Sequence, residues 1–243
     1  MSDTRPELYA TTHIDAGAIA QLAFRSINEN PLPLKEKLLL SKNEQTFSGL
    51  LAQELTRYPT LALGNDNEPG TGRVLLELKG KDYKTSSSSG IKTSRNFHDL
   101  TIVTPNADIE VIIENKFWYH FDGAKGKNNP KPEKGIGIQI KDDIFKIRQT
   151  LSDTKHGRGF LLLNIVTPGD PDSIPKSYQN DHHRAWSRTN GDFESYRSEG
   201  LEGIKKVLKT FEADFVSMEI ESSDWGTSLG AADFISAEVK INR

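Results

Sequence analysis

A glutamate and a lysine stand two residues apart near the end of a strongly apolar segment, residues 109–118. Apolar residues occupy both parities in its middle, which predicts a central β-strand covered on both faces. Side chains two residues apart on a strand project from the same face, so Glu114 and Lys116 should lie side by side. Charges next to Ile112 and Trp118 cost free energy unless they are paired or bind a metal. The pattern alone fits either an ion pair at a strand end or a metal-dependent site.

Asp99 adds a second carboxylate to this pattern. It lies in a predicted strand, residues 97–104, and the Pro-Asn-Ala-Asp segment at 105–108 has the composition of a hairpin turn. Asp99 and Glu114 should therefore come close together across the ladder. Adjacent carboxylates repel and raise each other's pKa unless a cation intervenes, and one lysine balances only one of them. Oxygen ligands of this kind suit a hard ion such as Mg²⁺.

A third carboxylate, Glu54, lies in a predicted helix over residues 43–58. At about 100° per residue, Phe47 and Tyr58 fall within roughly 20° of each other, and Glu54 lies on the same line. A carboxylate within an apolar stripe is seldom left without a partner. We expect this helix to pack on the sheet and direct Glu54 toward the metal. The alternative is a glutamate at the edge of the core with its charged end in solvent.

The elements that must position these residues alternate along the chain. Helices are predicted over residues 13–29, 43–58, 141–151 and 201–211, and strands over 73–78, 97–104, 109–119, 159–166, 215–221 and 234–241. The serine-rich segment 79–95 is predicted to be a mobile connection, residues 122–135 a loop, and residues 167–200 a polar, irregular insertion. This alternation predicts an α/β fold with helices packed on a central sheet, in a single domain over residues 1–243.

Asp99, followed after a hairpin by Glu114-Asn115-Lys116, resembles the PD-(D/E)XK nuclease superfamily, whose common core is αβββαβ. Residues 43–166 offer these elements in that order, which is roughly half of the chain. His98 stands where the family motif has proline. The resemblance implies a restriction-endonuclease-like core with a mixed central sheet flanked by helices. The insertion at 167–200 and the C-terminal α-β-β elements would be additions to that core.

The resemblance also implies a mechanism. Asp99 and Glu114 would bind one or two Mg²⁺ ions, for which Mn²⁺ would substitute, with the backbone carbonyl of Asn115 as a further ligand. Glu54 would complete the metal shell, directly or through water. Lys116 would orient or help deprotonate the attacking water and stabilise charge on the phosphate. The expected products carry a 5′-phosphate and a free 3′-hydroxyl.

Candidate substrate contacts lie outside this set. Lys125 and Lys127 follow the catalytic strand and could bind phosphates, although solvated loop lysines are the simpler interpretation. Arg184 and Arg188 of the insertion are candidates for contacts with bases or backbone, since arginine matches both guanine edges and phosphates.

By fold-level analogy the expected role is a homodimeric Type II restriction endonuclease acting on double-stranded DNA. The alternatives are a repair, phage or defence nuclease acting on structured or single-stranded nucleic acid, and a catalytically inactive nucleic-acid-binding module.

Composition limits these interpretations without deciding between them. The 243 residues contain no cysteine, which excludes a thiolate metal site and a cysteine nucleophile. No apolar run approaches the roughly 20 residues that cross a bilayer, and the polar N-terminus lacks a signal-peptide pattern, so we expect a cytoplasmic protein without a membrane partner. A formal charge of −3 requires that any contact with nucleic acid come from local patches or from a bound metal.

Overall fold

The computed structural model describes residues 16–29, 44–58, 61–63, 72–79, 83–87, 90–94, 97–104, 108–127, 135–154, 156–170, 174–224 and 230–242. Within them the helices are α1 (Ala16–Glu29), α2 (Glu44–Leu55), α3 (His120–Lys127), α4 (Ile136–Leu151), α5 (Lys176–Arg188) and α6 (Phe193–Lys209). The strands are β1 (Leu61–Leu63), β2 (Gly72–Lys79), β3 (Tyr83–Ser87), β4 (Gly90–Ser94), β5 (Phe97–Val103), β6 (Ile109–Tyr119), β7 (Arg158–Pro168), β8 (Phe215–Asp224) and β9 (Gly230–Val239).

Seven strands form one mixed sheet in the order β1-β2-β5-β6-β7-β9-β8. The β5–β6 hairpin is antiparallel, whereas β6 runs parallel to β7 over nine residue pairs. A parallel pair needs a crossover connection, which α3 and α4 supply. The strand that carries Glu114 and Lys116 is therefore central, as its apolar composition predicts.

Helices cover both faces of this sheet. On one face, Phe24 of α1 and Phe47 of α2 pack against Phe117 and Phe234 of the sheet. On the other face, α4 and α6 pack against the alternate strand residues, among them Ile112, Leu161, Leu163 and Ile235. Because successive strand residues point to opposite faces, one apolar strand such as β7 contributes to both cores.

Most predicted elements are confirmed. The helices near residues 13–29, 43–58 and 141–151 correspond to α1, α2 and α4, and every predicted strand is present. Asp15, which could cap the first helix, lies outside the described residues. On α4, one face with Ile140, Ile144, Ile147 and Leu151 lies in the core.

Two predictions for residues 79–141 differ from the structure. Within the segment 79–95, which was predicted to be a mobile connection, β3 and β4 pair antiparallel from Tyr83↔Ser94 to Ser87↔Gly90. The predicted loop at 122–135 begins as helix α3, and α4 starts at Ile136, five residues before the predicted start at 141. Helix α3 has no apolar periodicity of its own, so its packing on α6 stabilises it.

The prediction of an irregular insertion at 167–200 is also wrong, because α5 and the first half of α6 lie within it. On α5, Tyr178, His182 and Trp186 recur every four residues and face the core, a stripe that a count of aliphatic residues does not detect. Helix α6 begins at Phe193 rather than near 201. Its N-cap is Asp192, whose carboxylate accepts the N–H of Ser195 at 2.9 Å.

Two glycines allow α3 and α6 to touch. A Cβ on Gly123 would lie 2.2 Å from the carbonyl oxygen of Gly200, and one on Gly200 would lie 2.5 Å from that of His120. The helices thus pack backbone to backbone. None of the described helices combines the length and the apolar character needed to cross a lipid bilayer.

Candidate active site

The site is built on an open edge of β6. The pairing of β5 with β6 runs from Val103↔Ile109 to Leu100↔Ile113. Beyond that point, the backbone N–H groups of Asn115 and Phe117 point to the side that β5 leaves, because alternate residues of a strand direct their N–H groups to the same side. Two carboxylates accept them. Asn115 N–H donates to Asp99 Oδ2 at 2.7 Å, and Phe117 N–H donates to Glu44 Oε1 at 3.3 Å.

Asp99 thus lies beside β6 at the level of Glu114, as the hairpin predicts. Burial raises the pKa of Asp99, and Asp143 raises it further, while Lys116 and the N–H of Asn115 act in the opposite direction. Burial also raises the pKa of Glu114, which His98 opposes through a hydrogen bond. The expected increase of both pKa values is therefore present, but loss of hydration rather than mutual repulsion is its main cause.

Glu44, the first residue of α2, is the helix carboxylate that reaches this edge. Burial raises its pKa, and the negative charges of Asp99 and Asp143 add to this, whereas Lys116 lowers it. From the sequence, Glu44 resembles an ordinary acidic residue in a first helical turn. Glu44 reaches the site because of its position along the axis of α2 relative to the sheet. The sequence pattern does not give that position.

Glu54, the glutamate expected to face the metal, points elsewhere. Its Oε2 lies 2.7 Å from Arg57 Nη1 and accepts a hydrogen bond from Ser26 of α1 at 3.2 Å. Its charge is thus satisfied at the boundary between α1 and α2. The expectation that α2 directs Glu54 toward Asp99 and Glu114 is corrected to Glu44, about three turns nearer the N-terminus of the helix.

Lys116 pairs with a carboxylate of α4 that is not among the predicted site residues. Its Nζ lies 3.2 Å from Asp143 Oδ2 on α4 and donates to the backbone carbonyl of Asn115 at 3.2 Å. Burial alone would lower the pKa of Lys116, but Asp143, Glu44 and Asp99 outweigh that effect and raise it. The ammonium group therefore remains protonated at neutral pH.

Lys146, also on α4, lies 3.3 Å from Glu114 Oε2 and 3.2 Å from Asp143 Oδ1. Together these residues form the charged cluster of the site: Glu44, Asp99, Glu114, Asp143, Lys116 and Lys146. Four carboxylates and two ammonium groups leave two negative charges in excess before His98 is counted. Spacing could have indicated Asp143 and Lys146, since they lie one turn apart on a helix that follows β6.

The side chain of Asn115 holds α2 against the strand from the opposite face of the sheet. Its Nδ2 donates to the carbonyl oxygen of Glu44 at 3.0 Å, and its Oδ1 accepts from Asn164 of β7 at 2.5 Å. The middle residue of the Glu-x-Lys triplet therefore fixes the start of α2, and with it the backbone of Glu44.

Asp99 also borders an open cavity of about 350 Å³, lined by Gln45, Ser48, Leu76, Glu77 and Asp99. Glu77 has a backbone φ of 52°, which is uncommon for a residue with a side chain, and it accepts a hydrogen bond from Gln45 at 3.0 Å. The cavity gives solvent, or a ligand of that size, access to the carboxylate of Asp99.

Oxygen donors suited to a hard cation surround the open edge: the carboxylates of Asp99 and Glu44 and the backbone carbonyl of Asn115. Among the described residues, no three His, Cys, Asp or Glu side chains converge closely enough to hold a metal by themselves. The donor set fits Mg²⁺ in its usual form, in which one or two carboxylates are supplemented by water and substrate phosphate.

The expected substrate contacts lie on α3 and α5. Lys125 and Lys127 belong to the last turn of α3, and their side chains are outside the described residues. Arg184 and Arg188 are exposed on α5, where Arg188 lies 3.9 Å from Glu199 of α6. Gln139 of α4 accepts a hydrogen bond from the indole of Trp118 at 3.0 Å.

Comparison with models of known protein families, with curated proteins and with solved structures finds no match to this chain. Any assignment of function therefore depends on the residues and geometry of the site itself.

Proposed function

We propose that this chain is a metal-dependent nuclease that hydrolyses phosphodiester bonds of DNA, leaving a 5′-phosphate and a 3′-hydroxyl. The observation that carries the proposal is the arrangement at the open edge of β6. The carboxylates of Asp99 and Glu44 each accept a backbone N–H there, from the strand that also carries Glu114 and Lys116. Carboxylates can hold a cation and a lysine can stabilise charge on a phosphate, and a phosphodiesterase site needs both.

The succession of elements supports the same proposal. Helix α2, strands β2, β5 and β6, helix α4 and strand β7 follow one another in the αβββαβ order of the PD-(D/E)XK core. Strand β1, the β3–β4 pair and α3 lie between these elements and are additions to that order. We propose that this part of the chain is a restriction-endonuclease-like core, to which α5, α6, β8 and β9 are appended.

The charge of the site favours a divalent cation. Asp99 and Glu44 have pKa values raised mainly by burial, so their ionised forms are stabilised by any cation that replaces lost hydration. We propose that Asp99, Glu44 and the Asn115 carbonyl hold Mg²⁺ or Mn²⁺, with Glu114 contributing from the same strand. Bound Mg²⁺ would polarise the scissile phosphate and lower the pKa of a bound water.

Lys116 has the more specific role of a cationic donor. Because neighbouring carboxylates raise its pKa, it is a poor proton acceptor at neutral pH. We therefore propose that it orients the attacking water and stabilises negative charge on the phosphate, and that it does not remove the proton. The resemblance leaves open whether Lys116 orients the attacking water or helps to deprotonate it, and the raised pKa favours the first role.

A Type II restriction role, a double-stranded substrate and a homodimer form the narrower version of this proposal, and they rest on analogy. A nuclease that acts on structured or single-stranded nucleic acid would use the same site. One observation favours a third candidate, an inactive binding module. Both lysines of the cluster are already paired with carboxylates, Lys116 with Asp143 and Lys146 with Glu114.

The test is incubation of the purified protein with plasmid, genomic and single-stranded DNA and with RNA, in Mg²⁺, Mn²⁺ or EDTA. Glu44→Gln and Glu54→Gln form a matched pair, since both change a glutamate of α2 to its neutral isostere. We expect Glu44→Gln to lose about 100-fold or more in cleavage rate, and Glu54→Gln to cut like the wild type.

Discrete fragments that require a divalent cation would support the restriction role, and sedimentation of the protein with and without DNA would test the homodimer. A smear, or cutting only of single strands or RNA, would favour the second candidate. Binding without cleavage under every condition would favour the third and refute the nuclease. Equal activity of both glutamine variants would place the site elsewhere.

A further inference from the structure

One face of α4 points at the charged cluster. Asp143, Lys146 and Thr150 are separated by three and four residues, so they form a single stripe along the helix. Each contacts a different side chain of β5 or β6. Asp143 meets Lys116 and Lys146 meets Glu114, whereas Thr150 Oγ1 lies 2.8 Å from Nε2 of His98. The contact between Thr150 and His98 has no role in the chemistry proposed above.

His98 joins this stripe to the catalytic strand. Its Nδ1 lies 2.6 Å from Glu114 Oε1, and neither side chain has measurable exposure to solvent. An ionised Glu114 can only accept, so Nδ1 of His98 must carry the proton and donate it. Thr150, which is also buried, can donate to Nε2 of the neutral ring or accept from the charged ring. Both imidazole nitrogens are therefore used.

This arrangement restrains Glu114 from two sides. His98 contacts Oε1, and Lys146 contacts Oε2 at 3.3 Å. Each carboxylate oxygen has two lone-pair directions, so these contacts leave capacity for a further ligand on the same carboxylate. Groups that orient a metal-binding carboxylate in this way commonly change metal affinity or activity when they are replaced.

We propose that His98, anchored by Thr150, is a positioning residue that holds the carboxylate of Glu114 in its working orientation. This inference rests on the proposed nuclease function. It gives a role to the residue preceding Asp99, which in the resembled motif is proline and has no side-chain donor. The alternative is a buried hydrogen bond that stabilises the fold and nothing more.

Two amide substitutions separate the two contacts of His98. In His98→Asn the side-chain amide nitrogen falls near the place of Nδ1 and preserves a donor to Glu114. In His98→Gln it falls near Nε2, which preserves the contact with Thr150 and removes the donor to Glu114. Thr150→Val removes the anchor, and Thr101→Val is its matched control. Thr101 is a buried threonine of β5 whose hydroxyl has no hydrogen-bond partner within the described part of the chain.

Three measurements are made on each folded variant: the rate constant of cleavage at saturating DNA, the KM for DNA, and the dissociation constant for Mg²⁺ by calorimetry without DNA. We expect His98→Gln to weaken Mg²⁺ binding about 10-fold and to lower kcat about 10- to 100-fold, with KM changed less than about 3-fold. His98→Asn should recover most of both losses. Thr150→Val should fall between them, and Thr101→Val should match the wild type.

The outcomes separate this inference from the function on which it rests. If the wild type cuts and binds Mg²⁺ but His98→Gln equals His98→Asn in both, the positioning role is refuted and the nuclease stands. If both variants lose activity only in proportion to lost folded protein, the contact is structural and the inference is wrong. If the wild type neither cuts any nucleic acid nor binds Mg²⁺, the proposed function fails and this inference fails with it.

Discussion

The carboxylate of Asp99 on β5 accepts the backbone N–H of Asn115 on β6, with 2.7 Å between Oδ2 and the nitrogen. This bond replaces a ladder hydrogen bond at the point where the two strands separate. One carboxylate oxygen is thus occupied by the strand, and Asp99 also borders a cavity. Asp99 consequently has a structural role and a proposed chemical role, and the two can be separated by substitution.

Asp99→Asn should abolish activity without damaging the fold. The amide oxygen can still accept the N–H of Asn115, while the buried charge is removed. We expect cleavage to fall about 100-fold or more. The free energy of unfolding without Mg²⁺ should stay constant or rise by about 1 kcal/mol, because a desolvated charge is lost. Urea denaturation with and without Mg²⁺ checks this, since Mg²⁺ should stabilise only the wild type. A variant that is both active and less stable would contradict it.

Lys116 and Asp143 should be coupled in stability but not in activity. Lys116→Met leaves Asp143, which is 2% exposed, with Lys146 as its remaining cation. We expect a loss of about 2 kcal/mol in unfolding free energy, of which the double variant with Asp143→Asn recovers at least half. Both Lys116→Met and the double variant should be inactive. Lys205→Met, which breaks the exposed pair with Glu202, is the control and should cost less than about 0.5 kcal/mol. Additive losses in the double variant would show that the buried pair is not coupled.

The contribution of His120 to stability should fall in mild acid, whereas the raised pKa values of Glu44, Asp99 and Glu114 act in the opposite direction. Burial lowers its pKa well below the usual value of 6.5, and the neighbouring His182 and Arg188 lower it further. Below pH 6.5 the unfolded chain binds a proton there that the folded chain does not. The contribution of His120 to stability is therefore complete above pH 6.5 and decreases as the pH falls, by up to about 1.4 kcal/mol per pH unit.

Urea midpoints at pH 7.5 and 5.5 measure this dependence. His120→Leu should reduce the loss of stability between pH 7.5 and pH 5.5 by the amount that the binding of one proton contributes. The substitution should cost little at pH 7.5, since neither ring nitrogen of His120 has a hydrogen-bond partner among the described residues. The exposed His183→Gln is the control and should behave as the wild type. If His120→Leu has the same pH dependence of stability as the wild type, the dependence comes from other groups.

Two glycines in helices should respond to alanine in opposite directions. At Gly200 of α6 a Cβ would lie 2.5 Å from the carbonyl oxygen of His120, so Gly200→Ala must push α3 and α6 apart and should cost about 2 kcal/mol or more. At Gly49 of α2 a Cβ meets nothing within 4 Å, so Gly49→Ala should gain about 0.5–1 kcal/mol from helix propensity. Thermal unfolding of both variants gives the comparison, and a stabilised Gly200→Ala would disprove the close packing.

Local patterns predicted the parts of this fold that depend on neighbouring residues. The β5–β6 hairpin follows from two apolar strands and a four-residue turn, and the buried face of α4 follows from isoleucines at helical spacing. Helices α3 and α5 were missed because their apolar content is low. Glycine contacts hold α3, and α5 buries a stripe of aromatic and histidine side chains, so partners elsewhere in the chain decide both.

For the site, the sequence by itself determined that Asp99, Glu114 and Lys116 lie near one another, because strand periodicity and a short hairpin leave few alternatives. Only the tertiary structure decided that Glu44 and not Glu54 reaches them. A helical wheel gives the rotation of α2 but not its height on the sheet, and Asn115 sets that height by bonding the start of the helix. The contacts from α4 likewise depend on the crossover that lays it over β6. The site is completed by residues that lie far apart in sequence. Tertiary packing fixes the distances between them, and local sequence spacing does not predict those distances.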